Sequence, residues 1–239
     1  MSTSKEKSNV GSIMTEFAEA DHLFEGLGKA VTIFGSARTP RTAVPYQKAA
    51  DISEKLAKNG FSTITGGGMG IMAAGNEGAY RVQNKEVESV GMGIVLPFET
   101  ENNQYVTKCY TYKYFFVRKV MMVKYSDAFI CMEGGFGTLD EMFEVLTLIQ
   151  TLKTRRAKVY LVGVDYYTGL LDWIKTTMLG FGYISPEDID LIHLTDDVDE
   201  VVRMISDEHA NNQRLDEKIA LGRQLFDRTT ERRPTRIRM

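Results

Sequence analysis

Asp-Ala-Phe-Ile-Cys-Met-Glu-Gly-Gly-Phe-Gly-Thr-Leu-Asp-Glu-Met-Phe-Glu-Val-Leu-Thr, residues 127–147, is the stretch on which the reading of the chain turns. Residues 128–132 are an uncharged apolar run of strand length, the pattern of a parallel strand buried on both faces. Gly134, Gly135 and Gly137 follow at once, and Met142, Val145, Leu146 and Ile149 then recur at helical spacing. The order is strand, glycine loop, helix. Glycines let the backbone turn sharply there and face its N–H groups outward. The first N–H groups of a helix have no intrahelical partner and lie at the positive end of the macrodipole, so such a turn can receive a phosphate. A purely structural explanation stands beside that one. Glycine turns of this kind occur without ligands, and Thr138 with Glu141 has the spacing of a capping box. The stretch alone leaves both open.

Working outward, the same pattern recurs twice upstream. The apolar run 31–34 leads into Gly35-Ser36-Ala37-Arg38, and 61–65 leads into Gly66-Gly67-Gly68-Met69-Gly70. Periodicity and stop signals predict helices over 12–26, 46–59, 71–82, 114–125, 166–179 and 198–205. Further strands are expected over 90–96, 107–112, 158–162 and 191–194. Strands and helices alternate throughout, which predicts an α/β fold with a mostly parallel sheet and helices on both faces. Ligands of such sheets bind beyond the carboxyl ends of the strands, where all three glycine turns fall. Residues 1–11 are expected to be disordered, 12–210 to form one domain with an N-terminal helical arm, and 211–239 to be a charged tail.

Bulk properties narrow the function classes. The chain has 239 residues, of which 26% are charged and 43% apolar, the mix of an ordinary globular protein. A net charge of −3 gives no ground for nucleic-acid binding. Cys109 and Cys131 form neither a metal spacing nor a disulfide framework, and read as free thiols of a reducing compartment. No signal peptide or membrane-spanning stretch is evident, so a soluble cytoplasmic chain without membrane partner is expected. His22, His193 and His209 lie outside every glycine-rich stretch, which argues against a histidine-centred site.

Several nucleotide chemistries can be weighed on motif alone. Gly68-Met69-Gly70-Ile71-Met72-Ala73 fits a relaxed dinucleotide fingerprint, but it follows the second strand and its acid would have to be Glu99, beyond the next one. No Gly-Lys-Ser/Thr triplet follows any turn, which disfavours triphosphate hydrolysis. If the turn at 134–138 holds a phosphate, Glu141 stands one helical turn in and could face the sugar of a bound nucleotide. A carboxylate there can stabilise an oxocarbenium-like centre, attack it, or activate water, and an Arg beside it can orient the carboxylate. On spacing alone a capping residue at Glu141 and a surface ion-pair partner at Arg118 are each the stronger reading.

These residues carry a resemblance. Glu133 to Glu141, Glu-Gly-Gly-Phe-Gly-Thr-Leu-Asp-Glu, is similar to the Pro-Gly-Gly-x-Gly-Thr-x-x-Glu motif of the Lonely Guy family of nucleoside 5′-monophosphate phosphoribohydrolases, older labels for which read possible lysine decarboxylase. Phe34 to Arg38, Gly66 to Met72 and Phe116-Val117-Arg118-Lys119 extend the match over roughly residues 30–180, in order. The resemblance implies a Rossmann-like fold, a homodimer, and hydrolysis of purine nucleoside 5′-monophosphates such as AMP to free base and ribose 5-phosphate, without metal or cofactor. It makes Arg118 and Glu141 the catalytic pair. Gly134, Gly135, Phe136, Gly137 and Thr138 would form the phosphate turn, and Glu99, Lys119 and Thr147 would be substrate contacts. The chain departs from the motif at Glu133, where the family has Pro, and a carboxylate beside a phosphate turn motivates the alternative of a nucleotide-binding regulatory protein with little catalysis. No lysine stands out as a Schiff-base residue for the decarboxylase label.

Overall fold

The structure is a computed structural model that describes residues 10–96, 101–155 and 157–231, with side chains described up to 214. In chain order the elements are α1 (Val10–Phe24), β1 (Ala30–Phe34), α2 (Val44–Lys58), β2 (Ser62–Thr65), α3 (Ile71–Arg81), β3 (Ser89–Ile94), β4 (Lys108–Tyr112), α4 (Phe115–Lys124), β5 (Ala128–Met132), α5 (Phe136–Gln150), β6 (Val159–Val162), α6 (Val164–Trp173), α7 (Pro186–Ile189), β7 (Ile192–Thr195) and α8 (Val198–Glu231). A π-helical segment, Ile174–Leu179, continues α6.

The seven strands form one sheet in the order β4-β3-β2-β1-β5-β6-β7, with every pairing parallel. The α/β class with helices on both faces is therefore as the sequence predicts, and the sheet is parallel throughout. Strands β1, β2, β5 and β6 are buried along their whole length, which is why they read as continuous apolar or small-residue runs. Edge strand β4 alternates between covered and exposed residues. On one face, Ile33, Thr63 and Thr65 meet the backbone of α3 at Gly75. On the other, Phe34, Ile64, Phe129 and Cys131 join one apolar cluster with Val117 and Met121 of α4, Met142 and Val145 of α5, and Phe24 of α1. α3 lies so close on α2 that a Cβ at Gly78 would overlap the carbonyl oxygen of Ala50.

Three local expectations change. α5 begins at Phe136 with Gly135 as its N-cap and no side-chain cap, so Thr138 and Glu141 do not form a capping box. Thr138 is the third residue of the helix. A capping box is formed instead by Ser185 with Asp188, ahead of α7. α8 runs on to Glu231 instead of stopping at 205, because the residues that follow are mostly good helix formers with no proline among them. Residues up to Val202, which hold the whole sheet, form one unit; Arg203 onward, the rest of α8, forms a second. α1 opens at Val10, inside the stretch expected to be disordered, and residues 1–9 lie outside the described ones. Among the described residues no helix is long and apolar enough to cross a membrane.

Candidate active site

Strand order reverses on either side of β1, whose neighbours are β2 and β5. The three glycine turns that the sequence singles out are the carboxyl ends of these three adjacent strands. Backbone hydrogen bonds join them into one rim. The Ser36 N–H donates to the Glu133 carbonyl at 3.1 Å, and the Ile71 N–H donates to the Ser36 carbonyl at 3.0 Å. Gly70 has φ +63°, and a Cβ there would overlap the Ser36 and Ala37 backbone, so only glycine lets these two turns touch. The rim is thus the crevice at a switch point, the place where open α/β sheets bind ligands.

Arg118 enters the crevice from α4. It is buried, and its Nη2 lies 3.3 Å from Oε1 of Glu141 on α5. The same nitrogen rests against Gly66, where a Cβ would come within 2.6 Å of it. Arg118 lines a cleft of about 380 Å³ together with Gly66, Gly67, Gly68, Met72 and Asn102. Its Nε is buried with no hydrogen-bond partner among the described residues. An unpaired buried donor costs stability. Burial pushes the Glu141 carboxyl up to about 7, against the opposing pull of Arg118. A carboxyl of this kind exchanges a proton near neutral pH, as a general acid or base requires.

The remaining sequence candidates separate into two groups. Thr138 is buried, and its side chain closes over Gly134 so tightly that a Cβ on Gly134 would overlap it. Gly135 and Gly137 face open space, and Phe136 between them is 95% exposed. The first turn of α5 is thus uncovered on the side of these residues. Lys119, next to Arg118, is turned roughly 100° away on the helix. It pairs with Asp140 at 3.2 Å and Glu144 at 2.8 Å on the flank of α5, and like Glu141 and the 134–138 turn it borders the Arg118 cleft without lining it. Thr147 gives its hydroxyl proton to the Phe143 carbonyl and borders a separate apolar pocket with Leu146 and Ile174. Glu99 lies outside the described residues. The Glu133 side chain lies against Gly163, in the turn between β6 and α6, in a hollow it shares with Pro45 and Lys48 and apart from the Arg118 cleft.

Sequence reasoning missed the asparagines. Asn76, fully buried on α3, and Asn103, in the loop before β4, face each other across the cleft wall. Asn102 lies in the groove left by Gly67, Gly91 and Gly93. The available signals were a polar residue, Asn76, among the alanines and glycines of a helix, and the polar, irregular stretch 98–107, a candidate binding loop by composition, which holds Asn102 and Asn103. Tyr112 at the end of β4 is also buried with its hydroxyl unpaired among the described residues, within electrostatic reach of Arg118.

With this geometry in hand, similarity to known proteins becomes informative. A family profile described as "Possible lysine decarboxylase" matches residues 72–205, which include Arg118 and Glu141. A cytokinin riboside 5′-monophosphate phosphoribohydrolase of Arabidopsis thaliana is 30% identical over 177 residues, 73% of this chain and 80% of the relative. The chain belongs to this family, the Lonely Guy family. A second Arabidopsis thaliana protein of the same description is 30% identical over 165 residues, 68% of this chain and 74% of its own length. Among solved structures, a structural-genomics target determined by X-ray diffraction has a TM-score of 0.55 at 23% identity, covering 75% of this chain and 99% of that one. The molybdenum cofactor carrier protein of Chlamydomonas reinhardtii has a TM-score of 0.54 at 18% identity, covering 76% of this chain and 98% of that one. These structures share the fold, which is Rossmann-like. The Lonely Guy motif residues Gly66, Arg118, Thr138 and Glu141, distant in sequence, all lie at the carboxyl end of the central strands.

Proposed function

We propose that the Arg118 cleft hydrolyses the N-glycosidic bond of purine nucleoside 5′-monophosphates, AMP or cytokinin-type nucleotides, giving free base and ribose 5-phosphate. The observation that carries this is the buried Glu141 carboxyl, raised to about 7, set 3.3 Å from Arg118 at the switch-point crevice. The named Lonely Guy relatives are phosphoribohydrolases of nucleoside 5′-monophosphates, which supports the substrate class. In this assignment the open first turn of α5, Gly135 to Thr138, takes the phosphate. The C1′–N bond breaks with its electron pair leaving on the base. Water attacks C1′ and passes a proton to Glu141, which then gives it to the departing base. Arg118 holds the carboxylate in place and presents its guanidinium to the cleft. Lys119 and Thr147 have no part in this assignment, since their polar atoms are engaged elsewhere.

The chemistry so drawn uses no metal or redox group. The decarboxylase label would imply pyridoxal phosphate on a Schiff-base lysine. Among the described residues no lysine lines the cleft, and Lys119 is held by Asp140 and Glu144, so the residues do not fit that cofactor. The same reading takes the molecule as a homodimer that meets through α4, where Phe115, Phe116 and Val120 are about half exposed. Incubation with AMP and with a cytokinin riboside 5′-monophosphate, followed by chromatography, tests the activity. Free base and ribose 5-phosphate are expected. Nucleotide binding without base release from either substrate would establish a regulatory nucleotide-binding protein instead.

A further inference from the structure

Asn103 is 7% exposed, and every polar atom it carries is engaged. Its Nδ2 lies 3.0 Å from the Gly67 carbonyl, 2.9 Å from the Gly68 carbonyl and 2.9 Å from Oδ1 of Asn76. Its Oδ1 accepts the Tyr105 N–H at 3.1 Å, and its own N–H donates to the Gly67 carbonyl at 2.8 Å. Two carbonyls on one side and an N–H on the other fix which way the amide points. Asn76 carries the network inward. Its Oδ1 accepts the Thr65 hydroxyl at 2.6 Å, and its Nδ2 donates to Ser89 at 2.9 Å and to the Val90 carbonyl at 3.1 Å. Thr65 in turn accepts the Gly67 N–H at 3.0 Å. One buried network therefore ties the β2 glycine turn, α3, β3 and the loop before β4 into a single wall.

That wall faces the reaction site. Gly66, Gly67 and Gly68 line the Arg118 cleft, and so do Glu101 and Asn102, which directly precede Asn103. The catalytic pair stands on α4 and α5, which contribute no residue to the network. We infer that Asn103 is a positioning residue for nucleotide binding, holding the glycine turn and the 101–107 loop in register as the wall against which the nucleoside lies. This rests on the nucleotide reading of the cleft. It separates two functions by place: the asparagine network sets substrate affinity, and Arg118 with Glu141 sets the chemical step.

Asn103→Asp is the discriminating substitution. It keeps size and the oxygen that accepts the Tyr105 N–H, but turns a donor into an acceptor facing three oxygens. In the full chain, KM for AMP is expected to rise at least about tenfold with kcat within about threefold, since misplacement of a binding wall acts on binding first. Hydrogen exchange should quicken together in 66–70 and 101–107. Thr65→Val, close to isosteric, should move KM in the same direction by less, and it decides the matter if Asn103→Asp does not fold. A wild-type KM in these variants, or a loss confined to kcat, overturns the inference, because a merely structural role lowers the active fraction without moving KM. If the wild-type protein releases no base, the functional reading fails by itself, and exchange still judges the network. Joint loss of protection in the two segments supports it, and loss in only one overturns it.

Discussion

Replacing Glu141 with Gln is expected to make the protein more stable above neutral pH while abolishing base release. Burial raises the Glu141 carboxyl from an ordinary 4.5 to about 7. The folded state then holds a proton that the unfolded chain releases between about pH 4.5 and 7, so stability falls as pH rises through that window. At about 1.36 kcal/mol per pH unit, the 4.5-to-7 rise leaves the ionised form less stable by about 3 kcal/mol at pH 8. Gln has the shape of the protonated acid and carries no charge at any pH. Glu141→Gln should therefore match the wild type near pH 4.5 and exceed it by up to about 3 kcal/mol at pH 8. Urea unfolding followed by circular dichroism at the two pH values would show this. With a slope of about 3 kcal/mol per molar for a chain of this size, the midpoint at pH 8 should move up by about 1 M. A variant less stable than wild type at pH 8 would refute the reasoning, since it would mean that the Arg118 pair outweighs the desolvation of Glu141.

The pH profile of the reaction follows from the same group. If Glu141 must be ionised to take the water proton, kcat/KM should rise with pH to a plateau above about 7, and a fall above 7 would instead make it an obligatory acid. Arg118→Ala should lower kcat about a hundredfold or more, and Arg118→Lys should rescue it only in part because the planar fork is lost; steady-state kinetics decide. Phe116→Asp on the exposed face of α4 should shift a homodimer to monomer in sedimentation, and an unchanged mass would remove α4 from the interface. Gly78→Ala should destabilise by about 1–3 kcal/mol in urea titration, because its methyl group overlaps the Ala50 carbonyl across the α2–α3 contact.

Much of the site was legible because chemistry and backbone geometry were written in the same short motifs. Gly66 to Gly70 and Gly134 to Thr138 announce turns by composition, and their position after apolar runs places them at strand ends. Arg118 and Glu141 could be paired in advance only through the resemblance, since spacing left each with an ordinary structural role. Lys119 and Thr147 take a role only through the resemblance; in the structure Lys119 pairs with Asp140 and Glu144, and Thr147 bonds the Phe143 carbonyl. Adjacent helical residues point about 100° apart, so a motif neighbour need not share the cleft. Asn103 went unseen because it sits in an irregular loop, where no periodicity marks a residue as buried.

By itself the sequence determined the alternation of strands and helices, hence the parallel sheet, and the three glycine turns at its rim. These follow from local periodicity and from backbone freedom, which a chain carries wherever it folds. The tertiary structure alone decided which turns are neighbours, that Thr138 lies inside α5 and does not cap it, and that Asn76 and Asn103 join the β2 turn to the loop before β4. It also pushes the Glu141 carboxyl upward. That carboxyl is raised because water is removed around it, and the removal comes from packing among segments far apart in the chain.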